Sequence, residues 1–479
     1  MGRRTSFGVP SVATLGGSPW FVVTRMDSRI CLSVRGVHAT THRRLVERTG
    51  AAVGWADPRC SPTKGVQLTT QRSIRAAAAL SDTAEGELAA AEAADAVAVE
   101  LDGTCDVAVV FVGGAHVDSV EAVAAAVEAR LEPGVLIGGV AQGVIGPGEE
   151  VESGEAVSVW GAHLGGGHAQ PVRCWTVPAP DGAVAVAGWP DTRPGDLVIV
   201  LADPYSFPAA EVVARVGERN PGLLVCGGLI TAGPGRSRLI VDDRVYEDGA
   251  VGVVLSDVDA AALVSQGCRP IGAPLTVTAA EHNRILGLGG EPAVLRLQQV
   301  LREGDPEVRT LLERGGLQIG LVVDEVRDDY ATGNFLVRGV VGVDPEAGAI
   351  TIGDLVQLGQ TVQFHVRDAD SAHQDLVDRL SGRAPAAGVL LFTCNGRGQQ
   401  LFGTPAHDVT TVENHLEGAV AGAFCAGEIG PVGSKSYLHG FTASLVLIGA
   451  EEPGADATGA EPDAEASDAD DAAGTGPPS

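Results

Sequence analysis

The sequence has few aromatic residues and no long apolar run. Phe, Trp and Tyr make up 4% of its 479 residues, so its cores must be built from aliphatic side chains packed around 65 glycines. No stretch of about 18 apolar residues occurs, which argues against a transmembrane helix. The eight cysteines form no CxxC pair and no regular framework, as in proteins of a reducing compartment. We therefore expect a cytoplasmic protein without a membrane partner.

Lysine is nearly absent, and the net charge is strongly negative. The chain has 33 Lys and Arg against 61 Asp and Glu, a formal net charge of −28, and only Lys64 and Lys435 are lysines. Such a chain repels phosphate backbones, so we expect no nucleic-acid partner. Residues 1–75 carry 12 basic and 3 acidic residues, and residues 451–479 carry nine acidic residues and no basic one. We interpret these segments as an irregular basic extension and an acidic disordered tail.

Common cofactor and metal motifs are also missing. The glycine-rich turns lack the Lys-Ser/Thr pair of a P-loop, and no GxGxxG sequence opens a helix. His163, His168 and Cys174 lie close together, but their spacing matches no standard zinc pattern. We therefore expect neither a cofactor nor a metal ion.

One pattern recurs three times: an apolar strand, a helix, an apolar strand ending in glycines, a turn and a returning strand. The copies lie at 106–160, 197–251 and 389–448. Residues 138–147 (GGVAQGVIGP) also match residues 422–431 (GAFCAGEIGP), which indicates internal duplication. We expect an α/β protein in which repeated strand-helix-strand-turn-strand units form mixed sheets with helices on the outer faces, in two similar halves.

Ordered motifs in both halves resemble the FIST family. Those similar to the FIST C-terminal domain are CNGRG (394–398), AGEIGP (426–431) and LHGFT (438–442). Those similar to the FIST N-terminal domain are Gly138-Gly139, CGG (226–228) and QGCRPIG (266–272). The resemblance implies a FIST N-terminal domain at 76–275, and linker helices, expected within 276–314, followed by a FIST C-terminal domain up to residue 450.

The resemblance also implies a function. FIST proteins are bacterial sensory modules thought to bind small molecules such as amino acids. We find no kinase, cyclase, helix-turn-helix or F-box segment in the sequence. We therefore expect a small-molecule ligand and a protein signalling partner that receives the output.

The candidate ligand-binding residues lie in the C-terminal motifs. Residues 394–397 follow a buried strand (GVLLFT), and α/β sheets bind ligands at the carboxyl ends of their strands. Arg397 offers a planar fork for a carboxylate, and Glu428 offers a carboxylate for an ammonium group, so together they suit a zwitterion. Scaffolding roles for both residues remain an alternative. The predicted ligand-binding set is Cys394, Asn395, Arg397, Gly427, Glu428 and His439.

Two other functions are open from the residues alone. An enzyme would use Cys394 as nucleophile and His439 as base, although both residue types are more often buried structural groups. A protein-interaction scaffold would use the acidic tail. The sequence favours a binding protein over an enzyme, because no Asp or Asn that orients the histidine is identifiable.

Overall fold

The computed structural model describes residues 73–179, 184–323 and 335–450, together with the short strand β1 (Phe21–Val23). Three mixed sheets each carry one copy of the repeated pattern, and a fourth sheet is inserted into the third copy. The mixed α/β class with helices on the outer faces is confirmed. The predicted basic extension and acidic tail lie outside the described residues, apart from β1 and residues 73–75.

The first unit forms the first sheet. It contains β2 (Arg75–Ser81), α1 (Gly86–Leu101), β3 (Val107–Gly113), a 3-10 helix (Gly114–Ser119), α2 (Val120–Leu131), β4 (Leu136–Ala141), β5 (Val144–Gly146), β6 (Glu149–Val151) and β7 (Val157–His163). Strand β4 runs parallel to β3, while β7 and β2 follow antiparallel on the other side. The sequence of β3 is a continuous apolar run because helices cover one of its faces and the other sheets cover the opposite face.

The second unit repeats this connectivity in the second sheet. It contains β8 (His168–Pro178), β9 (Val184–Ala187), β10 (Leu197–Ala202), α3 (Ala209–Arg219), β11 (Leu224–Leu229), β12 (Leu239–Val241), β13 (Arg244–Tyr246) and β14 (Ala250–Ser256). Strand β11 runs parallel to β10, and β14 and β8 follow antiparallel. Strand β9 extends this sheet beside β8, and β1 pairs with β9.

The third unit begins with β15 (Ala260–Gln266) and is interrupted by the insertion. The insertion contains β16 (Cys268–Glu281), β17 (Arg284–Leu288), β18 (Glu291–Pro292), α4 (Ala293–Glu303), α5 (Pro306–Gly315), β19 (Leu317–Val322), β20 (Phe335–Asp344), β21 (Ala349–Ile352), β22 (Thr361–Arg367) and α6 (Ala369–Leu380). Helices α4 and α5 correspond to the expected linker helices. Residues 281–288 lie in the same range where linker helices were expected, but they form the end of β16, the turn at 282–283 and strand β17. His282 turns this hairpin with a φ of 53°, and the Asn283 side chain holds the turn by donating to the Ile352 carbonyl.

The rest of the third unit completes the third sheet. It contains β23 (Gly388–Cys394), α7 (Gly398–Phe402), α8 (His407–His415), β24 (Ala419–Cys425), β25 (Glu428–Val432), β26 (Lys435–His439) and β27 (Thr442–Ile448). Strand β24 runs parallel to β23, and β27 and β15 follow antiparallel. The order of strands is therefore the same in all three sheets.

Each unit lends a hairpin to another unit's sheet. The β5–β6 hairpin joins the third sheet, β12–β13 joins the first, and β25–β26 joins the second. The register is the same each time, because the lent isoleucines face equivalent glycines: Ile145 faces Gly422, Ile240 faces Gly138, and Ile429 faces Gly227. We define a junction as the point where a lent hairpin leaves its own sheet. The first, second and third junctions belong to the hairpins of the first, second and third units.

Close packing explains why these positions are glycine. A Cβ atom would lie within 2.1 Å of a neighbouring backbone oxygen at each of Gly138, Gly227 and Gly422. Equivalent hydroxyls also anchor two of the hairpins, since Ser158 and Ser444 donate to the carbonyls of the lent isoleucines at 2.6 and 2.9 Å. The match between residues 138–147 and 422–431 therefore reflects a shared crossing from one sheet to another.

The inner faces of the three sheets share one hydrophobic core. Phe111 of the first sheet and Phe392 of the third meet there edge to face, with ring centroids 6.0 Å apart. The outer faces are covered by α1 and α2, by α3, and by α6 and α8. Within the described ranges, no helix is long and apolar enough to cross a membrane.

Candidate functional site

The third junction differs chemically from the other two. The residue that precedes the lent isoleucine is Val144 at the first junction, Leu239 at the second and Glu428 at the third. All three are fully buried. This position therefore holds an apolar side chain at two junctions and a carboxyl group at the third. Since the fold packs with an apolar side chain there, packing does not require the carboxyl group of the third junction.

Glu428 is held through only one of its two oxygens. Its Oε2 accepts hydrogen bonds from the backbone N–H and the hydroxyl of Thr442, at 3.1 and 2.7 Å. Its Oε1 is buried and has no hydrogen-bond partner. Burial raises the pKa of Glu428 to about 8, although the bonds from Thr442 and the charge of Arg397 act to lower it.

Arg397 follows β23 and is 1% exposed. The sequence suggested that the guanidinium fork binds a ligand carboxylate. Instead, Nε and Nη2 donate to the two carboxylate oxygens of Asp408 at 2.7 and 2.9 Å. Its third nitrogen, Nη1, is buried and has no hydrogen-bond partner. The N–H groups on Nη1 are therefore the part of the guanidinium that another molecule could bind.

Asp408, at the start of α8, is a site residue that the sequence analysis missed. Besides Arg397, it accepts a hydrogen bond from the Thr393 hydroxyl at 2.6 Å, and its Oδ1 lies 3.0 Å from Nδ1 of His407. Burial acts to raise its pKa, but Arg397, His407 and Thr393 outweigh burial and hold the pKa well below its usual range. Asp408 therefore neutralises Arg397 inside the protein.

Cys394 and Asn395 lie beside this pair at the end of β23. Burial raises the pKa of the Cys394 thiol to about 12, and the nearby carboxyl of Glu428 adds to the shift. The Asn395 backbone N–H donates to the Cys425 carbonyl at 2.8 Å, and its side-chain Oδ1 has no hydrogen-bond partner. The thiol is thus a neutral group at neutral pH, and Asn395 adds one more unpaired polar atom to the site.

Gly427 and His439 position the lent hairpin. The Gly427 carbonyl accepts a hydrogen bond from the Leu229 N–H at 2.8 Å, which ties the crossing segment to the second sheet. His439 pairs with Glu428 across the hairpin, and its Nε2 lies 3.0 Å from the Gly430 carbonyl. Burial lowers the pKa of His439 to about 4, so the ring is neutral and fixed.

The end of β15 and the insertion contribute groups that the C-terminal motifs did not reveal. Gln266 lies opposite Thr442 in the third sheet, donates to the Phe335 carbonyl at 2.8 Å and leaves its Oε1 without a partner. Arg367 of β22 donates to the Gly396 carbonyl and stands 5.2 Å from the centre of the Phe441 ring. These residues come from distant parts of the chain, and no local spacing could have brought them together.

Phe441 adds backbone strain to the site. Its φ is 64°, in the left-handed region that a bulky side chain rarely adopts. Its carbonyl approaches Gly267 so closely that a Cβ atom there would lie 2.3 Å from the oxygen. Strain of this kind is concentrated at functional sites. Phe441 and Gly267 therefore support the third junction as the candidate site.

A separate cleft lies beside the insertion sheet. It has a volume of about 400 Å³ and is lined by residues of β16, α4 and the start of α5. Its two arginines are engaged by acids, Arg269 with Asp368 at 3.0 Å and Arg296 with Glu291 at 3.2 Å. Among the described residues, no group of three or more His, Cys, Asp or Glu side chains is arranged to hold a metal ion. Nε and Nη2 of Arg269 are also buried without a hydrogen-bond partner, but they lie 3.0 Å from Asp368 and 3.7 Å from Glu307, so both nitrogens already face a carboxylate.

Comparisons with known proteins agree across the repeats. The FIST N domain model matches residues 106–291, and the FIST C domain model matches residues 293–431. An uncharacterized protein of Mycobacterium tuberculosis is 44% identical over 369 residues, which cover 75% of this chain and 96% of that protein. An uncharacterized protein of Mycobacterium bovis is 41% identical over 375 residues, which cover 76% of this chain and 96% of that protein.

Proposed function

Because the chain belongs to the FIST family, whose domains act as sensory modules in signal transduction, we propose that it binds a small polar molecule at the third junction. Of the residues expected from the sequence, we assign Cys394, Asn395, Arg397 and Glu428 to contact with the ligand, and Gly427 and His439 to the support of the hairpin. A protein partner that reads the occupied state stays a prediction.

One observation carries this proposal. Arg397 Nη1 and Glu428 Oε1 belong to side chains that are at least 99% buried, yet neither atom has a hydrogen-bond partner. A buried polar atom without a partner costs about 1–3 kcal/mol. The apolar residues at the other two junctions indicate that the fold can form without a buried polar group at this position. A bound molecule that pairs with both atoms would account for their presence.

The same geometry gives no support to the alternative enzyme. A cysteine nucleophile acts as the thiolate, and the pKa of about 12 keeps the Cys394 thiol protonated at neutral pH. The proposed base, His439, directs Nε2 at the Gly430 carbonyl. Neither group is prepared for proton transfer to the other, so binding is the function that we propose.

We expect Glu428→Val to remove the bound molecule and leave the protein folded. Valine occupies the equivalent position at the first junction, so the fold accepts it there. Native mass spectrometry of the purified full chain should show a bound small molecule on the wild type and none on the variant. Circular dichroism should show that the variant keeps its fold.

The matched control is Glu218→Val, which removes an exposed acid from α3. This variant should keep the bound mass of the wild type. A wild-type protein without any bound molecule, or the same bound mass on Glu428→Val as on wild type, would count against the proposal.

A further inference from the structure

The charge of Arg397 is already balanced within the protein. Its partner Asp408 is 1% exposed and accepts both hydrogen bonds of the fork. A ligand therefore has no need to neutralise Arg397. What Arg397 offers is the NH2 group of Nη1, whose two N–H donors have no partner.

Glu428 also presents a donor when it is protonated. Its Oε2 already receives two hydrogen bonds from Thr442, which leaves Oε1 as the oxygen that carries the proton. No arginine, lysine or histidine of the described chain forms an ion pair with this carboxyl group. The pKa of about 8, raised by burial, agrees with a protonated group at neutral pH.

Arg367 supplies an additional positive charge. Within the described ranges it has no acidic partner, since its Nη2 donates to the Gly396 carbonyl and its ring contact is Phe441. Its Nε is buried without a hydrogen-bond partner. The charge of Arg367 acts to lower the pKa of both Cys268 and Cys394, so its guanidinium lies beside the same site.

We infer that the third junction binds a small organic anion, whose carboxylate accepts hydrogen bonds from Arg397 Nη1, Glu428 Oε1 and Arg367 Nε. This inference rests on the proposed function and specifies its ligand class. A carboxylate has about four lone-pair positions on its two oxygens, enough for three donors. Hydrogen bonds between an ionised acceptor and such donors are the strong ones. Glu428 thus has a different role from the ammonium acceptor that the sequence suggested.

The test compares two probes of similar size, acetate and ethylammonium, by NMR titration of the full chain after extensive dialysis. Acetate should bind at pH 6.5, where Glu428 keeps its proton. At pH 9.0, one unit above the Glu428 pKa of about 8, about a tenth of the carboxyl groups keep it, so the affinity should fall about tenfold. Ethylammonium should not bind at either pH.

Two variants separate charge from hydrogen bonding. Glu428→Gln keeps an uncharged donor, so it should still bind acetate, and the loss of affinity between pH 6.5 and 9.0 should disappear. Arg367→Gln should weaken acetate binding at least tenfold at both pH values. Arg338→Gln, which removes an arginine paired with Asp354 at 2.7 Å, is the control and should leave acetate binding unchanged.

The outcomes distinguish this inference from the proposed function. Ethylammonium binding that strengthens as the pH rises through 8 would show that the site prefers a cation. The inferred anion would then be wrong, and the proposed ligand-binding function would stand. If the affinity for acetate and its pH dependence are the same in Glu428→Gln and Arg367→Gln as in the wild type, acetate binds elsewhere and the site assigned to the anion is wrong. If neither probe binds while native mass spectrometry still shows a bound molecule, the anion is wrong and the binding function stands.

Discussion

Replacing Arg397 with alanine is expected to lower the free energy of unfolding by about 3–5 kcal/mol, the loss typical of removing one partner from a buried ion pair. The reason is Asp408, which is 1% exposed and would keep its negative charge without the guanidinium. Thr393 and His407 would still bond to it but could not replace the fork. Equilibrium unfolding in urea, followed by circular dichroism, measures the change.

The matched control for this experiment is Arg338→Ala. Its partner Asp354 has a side chain that is 37% exposed, so the loss should be about 1 kcal/mol or less. A double variant, Arg397→Met with Asp408→Leu, should recover most of the stability, because it removes both buried charges together. Equal losses for Arg397→Ala and Arg338→Ala would show that Arg397 is not part of a buried ion pair.

Separation of the two family domains is expected to abolish folding of both. Without the C-terminal half, β11 loses its partner β25, and Ile429 and Leu438 leave the core under α3. Without the N-terminal half, the third sheet loses both flanking partners, β15 on one side and β5 on the other. The expected boundary between residues 275 and 276 also falls inside β16.

Polar contacts between the halves add to this dependence. On the lent β5–β6 hairpin, Glu150 accepts a hydrogen bond from the Val409 N–H at 2.8 Å, at the start of α8. Just beyond the hairpin, Glu152 accepts one from the Gln399 N–H at 2.5 Å. Helix α7, which begins directly after Arg397, and helix α8, which contains Asp408, therefore depend on residues of the N-terminal half.

The fragments 73–291 and 292–450 make this prediction measurable. Expressed singly, each should lack a cooperative thermal transition and dispersed amide NMR signals. Co-expressed, they should form a complex with both properties, and residues 73–450 in one chain should show the same two properties. A cooperative transition of either fragment alone would mean that hairpin exchange is not required for folding.

The repeated elements were predictable because their strands are apolar runs bounded by glycine. Helices α2 (Val120–Leu131) and α8 (His407–His415) lie in the copies expected at 106–160 and 389–448, each between its two parallel strands. In contrast, α1 gave no clear signal, because its alanines lie on both its buried and its exposed faces. Local patterns therefore located the elements with strong periodicity.

The hairpin exchange and the completed site could not be predicted from the sequence. Pairing of Gly227 with Ile429 joins residues about 200 positions apart, and short strands such as β25 carry no signal for their partner. The motif around Arg397 was recognised, but its Asp408 partner reads locally as an ordinary acid in the first turn of a helix. The unpaired atoms of Arg397 and Glu428 depend on these long-range contacts.

A high-resolution crystal structure of the purified full chain tests the ligand-binding claim most directly. We predict density larger than a water molecule in contact with both Arg397 Nη1 and Glu428 Oε1, and its loss in crystals of Glu428→Val. Isolated waters on these two atoms in the wild type, or a direct bond between them, would contradict the claim that the third junction is a ligand-binding site.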